Sequence, residues 1–202
     1  MAISYLFQSD RNSSLPHLQA MVEFFISLLN ESQSLTPYLL KATTSALLLV
    51  IYIDIEDMKI INDVYTCISN LMLKVVQENE NNEDDNLFLI YIIFEFFGVI
   101  LLIREIEPEI LDYLFKIIKK YFSLSETEMH DIVLENSSFF NDILEFIVSF
   151  ISNCPQNMTD EYFEIINSVC SSIDSLNYKT KDMADKYQEI QNLLAQLSKE
   201  EE

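Results

Sequence analysis

Apolar residues recur along this chain in steps of three and four, and short polar clusters interrupt them. From Leu15 to Asn30, LPHLQAMVEFFISLLN sets Leu18, Val22, Phe25 and Leu29 on one stripe, the spacing of a half-buried helix. After ESQSL, the run TPYLLKATTSALLLVIYI opens with Thr36 as N-cap and Pro37 at the first helical position, where a missing N–H costs nothing. Its second half, ALLLVIYI, has enough β-branched residues to suit a strand; continuity with the capped start favours helix. EDMKIINDVYTCISNLMLKVVQ then aligns Ile60, Val64, Ile68, Leu71 and Val75 along one face.

The second half begins with ENENNEDDN, residues 78–86, which has no apolar residue and predicts a solvated loop. LFLIYIIFEFFGVILLIRE follows. EPEILDYLFKIIKKYF predicts a helix with Pro108 in its first turn and Lys116, Lys119 and Lys120 toward its C-terminus, where the helix dipole favours cations. Ser125 and Glu128 have the spacing of a capping box. SSFFNDILEFIVSFIS predicts another helix, ended by NCPQN. Thr159 caps the next, with Asp160 and Glu161 in its first turn. The last helix, about Lys179 to Leu197, has Met183, Tyr187, Ile190, Leu194 and Leu197 on one stripe and a polar back. It reads as the closing helix of a stack, followed by a frayed acidic tail, 198–202.

Pairing neighbours gives about four antiparallel hairpins, starting near Pro16, Glu56, Glu107 and Thr159. Steps of roughly forty to fifty residues are the period of HEAT and armadillo units. The expectation is one all-α domain over 1–202, a right-handed α-solenoid of HEAT-like hairpins; a compact helical bundle would leave a similar trace. Composition agrees with helix. Glycine occurs once, at Gly98, and proline four times, against averages of roughly 7% and 5%. Sheet turns and phosphate-cradling loops need more glycine than this.

Residues 87–103 raise a membrane question. As a helix they would measure about 25 Å, the short edge of a span. Glu95 stands at the centre, where a charge costs on the order of 2.5 kcal/mol or more in lipid, and basic flanks are lacking. The expectation is a helix packed between protein neighbours, with Glu95 turned to an edge or a polar partner. A membrane-anchored helical protein is the alternative.

Acids outnumber bases 33 to 12, for a net charge of -21. This opposes binding to nucleic acid and to anionic lipid and favours basic protein partners. Glu78, Glu80, Glu83, Asp84 and Asp85 of the acidic loop are the candidate partner-binding residues; a plain solvated linker explains them too. Cys67, Cys154 and Cys170 lie far apart without a CxxC, as buried thiols of a reducing compartment would. His17 and His130 each stand alone, so no metal site, cofactor or catalytic constellation is expected. Glu95 is the one acid whose setting suggests a shifted pKa. MAISYLFQSDRNSS lacks the basic start and long apolar run of a secretory signal.

The stretch LSETEMHDIVLENSSFF, Leu124 to Phe140, resembles an element of the importin-β-type nuclear transport receptors, the karyopherins. There a HEAT A-helix is followed by L-[ST]-x-x-[DE], a bulky residue, and an Asp-Pro-x-x-Phe-[apolar] opening of the B-helix. Leu124, Ser125 and Glu128 match the first part, Ile132 takes the bulky position, and Phe139 and Phe140 match the last. Glu135 and Asn136 stand where that family has Asp-Pro. Family members are several times longer, so the resemblance implies a short or fragmentary relative. It also implies a nuclear transport receptor segment in cytoplasm and nucleus, binding basic cargo or a Ran-type GTPase, with grooves for Phe-rich nucleoporin segments. Helix pattern and charge by themselves imply a non-catalytic helical-repeat binding protein, with a general HEAT-repeat scaffold or adaptor unrelated to transport as the alternative. A small helical enzyme is the remaining class.

Overall fold

The structure, a computed structural model, describes residues 11–30, 43–47, 58–78, 87–135 and 137–200. Among the described residues the chain is all-helical, without a strand. The helices are α1 (Arg11–Asn30), α2 (Met58–Glu78), α3 (Leu87–Ile100), α4 (Pro108–Phe122), α5 (Glu126–Glu135), α6 (Ser137–Asn153), α7 (Asp160–Ser175) and α8 (Lys181–Glu200), with a 3-10 turn at Pro155–Asn157. Residues 43–47 are helical as well. The rest of the expected helix from Thr36, including most of ALLLVIYI, lies outside the described residues. Contacts divide the chain into two compact units, Met1–Ile92 and Ile93–Glu202.

In the first unit α1 packs on α2. Of the expected stripes, Val22 and Leu29 on α1 and Ile60, Val64, Ile68 and Leu71 on α2 are buried, while the side chains of Leu18 and Val75 are outside what the structure describes. Tyr65 and Met72 join them, and Phe25 is half-buried. Thr43, Thr44 and Leu47 are buried too.

In the second unit α3 stops at Ile100. Leu102 N–H donates to Val99 O (3.1 Å), and Ile103 and Arg104 both donate to Ile100 O (2.9 Å each), so the last turn tightens before the chain leaves. The apolar run to Ile103 is therefore not one continuous helix. Fourteen residues make about 21 Å, against roughly 30 Å of bilayer hydrocarbon. No described helix is long and apolar enough to cross a membrane. Phe94, Phe96, Phe97 and Ile100 are fully buried, while Glu95 is on the exposed side.

The starts of the later helices follow their local chemistry. Pro108 takes the first position of α4, and Lys119 and Lys120 fill its last turn. At α5 the capping box forms: the Ser125 N–H and hydroxyl donate to Glu128 Oε2 (2.9 and 2.6 Å), and Glu128 N–H returns to Ser125 Oγ (3.4 Å). Thr159 Oγ1 accepts from Tyr162 N–H (3.2 Å) to start α7. Thr180 does the same for Met183 at α8 (3.2 Å). That helix continues through Glu200, so Ser198 to Glu200 extend it where fraying was expected. The core between them is aromatic. Phe94 meets Phe146 edge-on at 5.4 Å, Phe115 meets Phe150 at 5.1 Å, and Phe115 stacks on Tyr162 at 4.1 Å. Each such pair adds about 0.5–1.5 kcal/mol beyond area burial.

Helix α4 packs on α7, α6 on α8, α5 on α6, and α7 on α8. Four long-range hydrogen bonds reveal a register. Gln156 Nε2 donates to Glu105 (3.2 Å), the Tyr162 hydroxyl to Asp112, Ser172 Oγ to Phe122 O (2.9 Å), and Asn177 Nδ2 to Glu126 (2.6 Å); each joins residues 50 or 51 apart. Both numbers rise together, so α4 and α7 lie side by side and point the same way. Their buried positions repeat in step: Leu111, Leu114, Phe115, Ile118 and Phe122 on α4, then Tyr162, Ile165, Ile166, Val169 and Ile173 on α7.

Candidate functional site

Of the acidic residues expected to bind partners, Glu78 closes α2. Glu80, Glu83, Asp84 and Asp85 lie outside the described residues. Two other carboxylate-bearing surfaces are described, one in each unit.

The first is a groove between α1 and α2, about 550 Å³ in volume. Its walls come from the polar backs of two amphipathic helices. On α1, Glu23, Ser27 and Asn30 follow one another at steps of four and three, one stripe of a helix. On α2, Asp63, Thr66 and Asn70 do the same at steps of three and four. Ile26 and the buried Cys67 complete the lining. The Thr66 hydroxyl donates to Asn62 O (2.9 Å), which leaves its oxygen as an acceptor. No Lys, Arg or His is among the described residues that line the groove.

The second surface joins α3, α6 and α8. Burial, followed by the nearby charges of Glu95 and Glu145, pushes the Asp142 carboxyl up to about 7. Burial also raises Glu95, so this acid has both an exposed side and a buried one. A Cβ added at Gly98 would lie 3.8 Å from Phe146 Cα; the two backbones approach one turn beyond Glu95 and Asp142. Glu145 is held by Lys186 (2.5 Å), which also reaches Glu189 (3.2 Å). Burial pulls the Lys186 amine down, but its hydrogen bonds to Glu145 and Glu189 outweigh this and leave it above its ordinary value.

Other titratable groups are shifted toward the proton-bearing form. Burial, with the hydrogen bond to Asp112, drives the Tyr162 phenol upward. Tyr187 is raised to about 12, chiefly by its hydrogen bond to Asp174. Burial raises the Cys154 thiol and pushes Cys170 up to about 11. These are settings for a thiol, not for the reactive thiolate. All three cysteines are buried, as expected, and none is in a disulfide. His17 is exposed, and His130 sits 4.0 Å from Asp131. No three of His, Cys, Asp and Glu come together as a metal site among the described residues.

Sequence reasoning found Glu95 but missed Asp142, since nothing local in NDILEF marks the acid that meets it across a helix crossing. The groove stripes carried a signal, a polar period of three and four opposite each apolar one. Set against protein-family models, curated proteins and solved structures, the chain has no match in any of the three.

Proposed function

We propose that this chain is a non-catalytic helical-repeat binding protein whose carboxylate-rich surfaces recognise basic protein partners. The observation that carries the reading is the constant step of 50 to 51 residues between α4 and α7. Like-to-like packing of α4 on α7 and of α6 on α8 is the contact order of stacked helix hairpins, in which each repeat rests on the next and leaves a long face for partners. This supports an α-solenoid of HEAT-like units. The net charge of -21 then selects partners by sign.

A sharper form is a nuclear transport receptor segment. The end of α4 at Phe122, the Ser125–Glu128 box opening α5, and the start of α6 at Ser137 follow the order of A-helix, acidic capped segment and B-helix in the karyopherin element. That agreement supports it, and basic cargo, a Ran-type GTPase and Phe-rich nucleoporin segments would be its partners in cytoplasm and nucleus. Capture of Ran loaded with GTP, compared with GDP, tests this form. Capture that depends on the nucleotide is expected; capture indifferent to it, or none, leaves the general scaffold or adaptor.

A further inference from the structure

We infer that the crossing of α3 and α6 is a pH-operated clamp: α3 stays seated on α6 while Asp142 carries a proton, and loosens once Asp142 and Glu95 are both ionised. The geometry comes from the contact point. A Cβ at Gly98 would stand 3.8 Å from Phe146 Cα and 4.0 Å from Phe146 N, and Phe94 meets Phe146 edge-on at 5.4 Å, so the two helices touch there. Glu95 is three residues before Gly98, and Asp142 is four before Phe146; residues at those spacings share a helix face. The contact therefore brings one acid of each helix to the same crossing, and the charge of Glu95 is felt at Asp142.

The pair lacks a cation of its own. Among the described residues no ion pair joins Glu95 or Asp142 to Lys, Arg or His. Glu145, on the same helix as Asp142, adds a third carboxylate. Helix α8 supplies Lys186, but Glu145 (2.5 Å) and Glu189 (3.2 Å) take that amine. Helix α5, which also packs on α6, supplies His130 and Asp131, 4.0 Å from each other. Half-buried carboxyls in such company hold a proton or repel. Burial raises Glu95; burial and the charges of Glu95 and Glu145 raise Asp142 to about 7. Both acids are raised, so the clamp is complete at low pH and is lost as pH rises through about 7. Its place gives it a consequence. The boundary between the two compact units, Ile92 to Ile93, falls within α3, so the clamp holds the segment by which the chain passes from one unit to the next.

The test is amide hydrogen exchange of the full chain, read as protection relative to the intrinsic rate at each pH. At pH 8 the amides of Phe94 to Ile100 should exchange about tenfold or more faster than the slowest amides of α7, with little response to dilute urea, the mark of a local opening. At pH 5 their protection should be higher by about tenfold or more. Asp142→Asn should remove most of that pH dependence, and Glu95→Gln should move it to lower pH by taking away a like charge. Glu164→Gln, exposed on α7, should change it less than about twofold. Circular dichroism checks that each variant keeps its helix. Exchange of α3 only together with the slowest amides, at their rate and with their urea dependence, overturns the clamp and leaves the acids as parts of the core. Protection of α3 that ignores pH, or a profile unmoved by Glu95→Gln, overturns it as well. The comparison of α3 with α7 uses the unaltered chain, so it decides the matter even where a variant fails to fold.

Discussion

The two carboxylate surfaces differ in what surrounds the charge. In the α1–α2 groove, Glu23 is exposed and Asp63 is partly so, and the neighbours are hydroxyls and amides. At the junction of α3, α6 and α8, acids are drawn toward a phenylalanine core, and Asp142 is pushed up to about 7. Partial burial and neighbouring carboxylates raise Asp142 at the second surface, because loss of water and like charges both penalise the ionised form. The carboxylates of this acidic chain therefore do not share one setting: hydroxyls and amides surround those of the groove, and other acids beside an aromatic core surround Asp142.

The largest effect expected from breaking this contrast lies in the aromatic core beside the second surface. Phe146 is fully buried and touches Phe94, Phe115 and Phe150. Phe146→Ala should cost about 3–5 kcal/mol in urea unfolding, whereas Phe24→Ser, at a 59% exposed position, should stay within about 0.5 kcal/mol. Comparable losses at both would mean that the aromatic core is misplaced.

Next comes the proton on Asp142. Its folded value, about 7, lies above the ordinary value of roughly 3.9. Its contribution to stability is thus fully present below the ordinary value and is lost as pH rises through about 7. Between pH 5 and pH 8 the loss should be about 1–2 kcal/mol, discounted for partial exposure. Asp142→Asn should flatten that part of the profile, read from urea midpoints at stepped pH. An unchanged slope would show that Asp142 is not the proton's site.

Two smaller effects sharpen the picture. Lys186→Met removes the cation that joins Glu145 and Glu189, and with all three side chains partly exposed the cost should be about 1 kcal/mol or less, shrinking with added salt. A salt-insensitive loss would point to the lysine stem instead. Thr159→Ala deletes the cap of α7 and should cost about 1 kcal/mol, while Thr159→Ser should cost little.

Helix-forming pattern was legible wherever burial is periodic. The stripes on α1, α2 and α8, the capping box at Ser125, the Thr159 cap and Pro108 at the head of α4 depend on residues three or four apart, and short-range spacing is what a sequence displays directly. The end of α3 was not legible. Leu101 to Ile103 continue the apolar run, and the departure at Ile100 is set by the tightened turn rather than by a breaker residue. The step of 50 to 51 was hidden for a different reason. Leu111 and Tyr162, or Phe115 and Ile166, occupy equivalent buried positions without being alike, because a core demands volume and apolarity more than identity. Asp142 was missed since its surroundings come from α3, about fifty residues away in sequence, and long-range contact leaves no local mark. The polar stripes of the groove were visible as a period, but only the pairing of α1 with α2 turns two wet helix backs into one groove.

The most direct measure of the central claim, a helical-repeat protein that recognises basic partners through exposed acids, is the affinity of the full chain for an arginine- and lysine-rich peptide as salt rises from about 50 to about 500 mM. The account predicts binding at low salt that falls by about tenfold or more across that range, with no binding of a glutamate-rich peptide of equal length. Affinity indifferent to salt, or a preference for the acidic peptide, would contradict it.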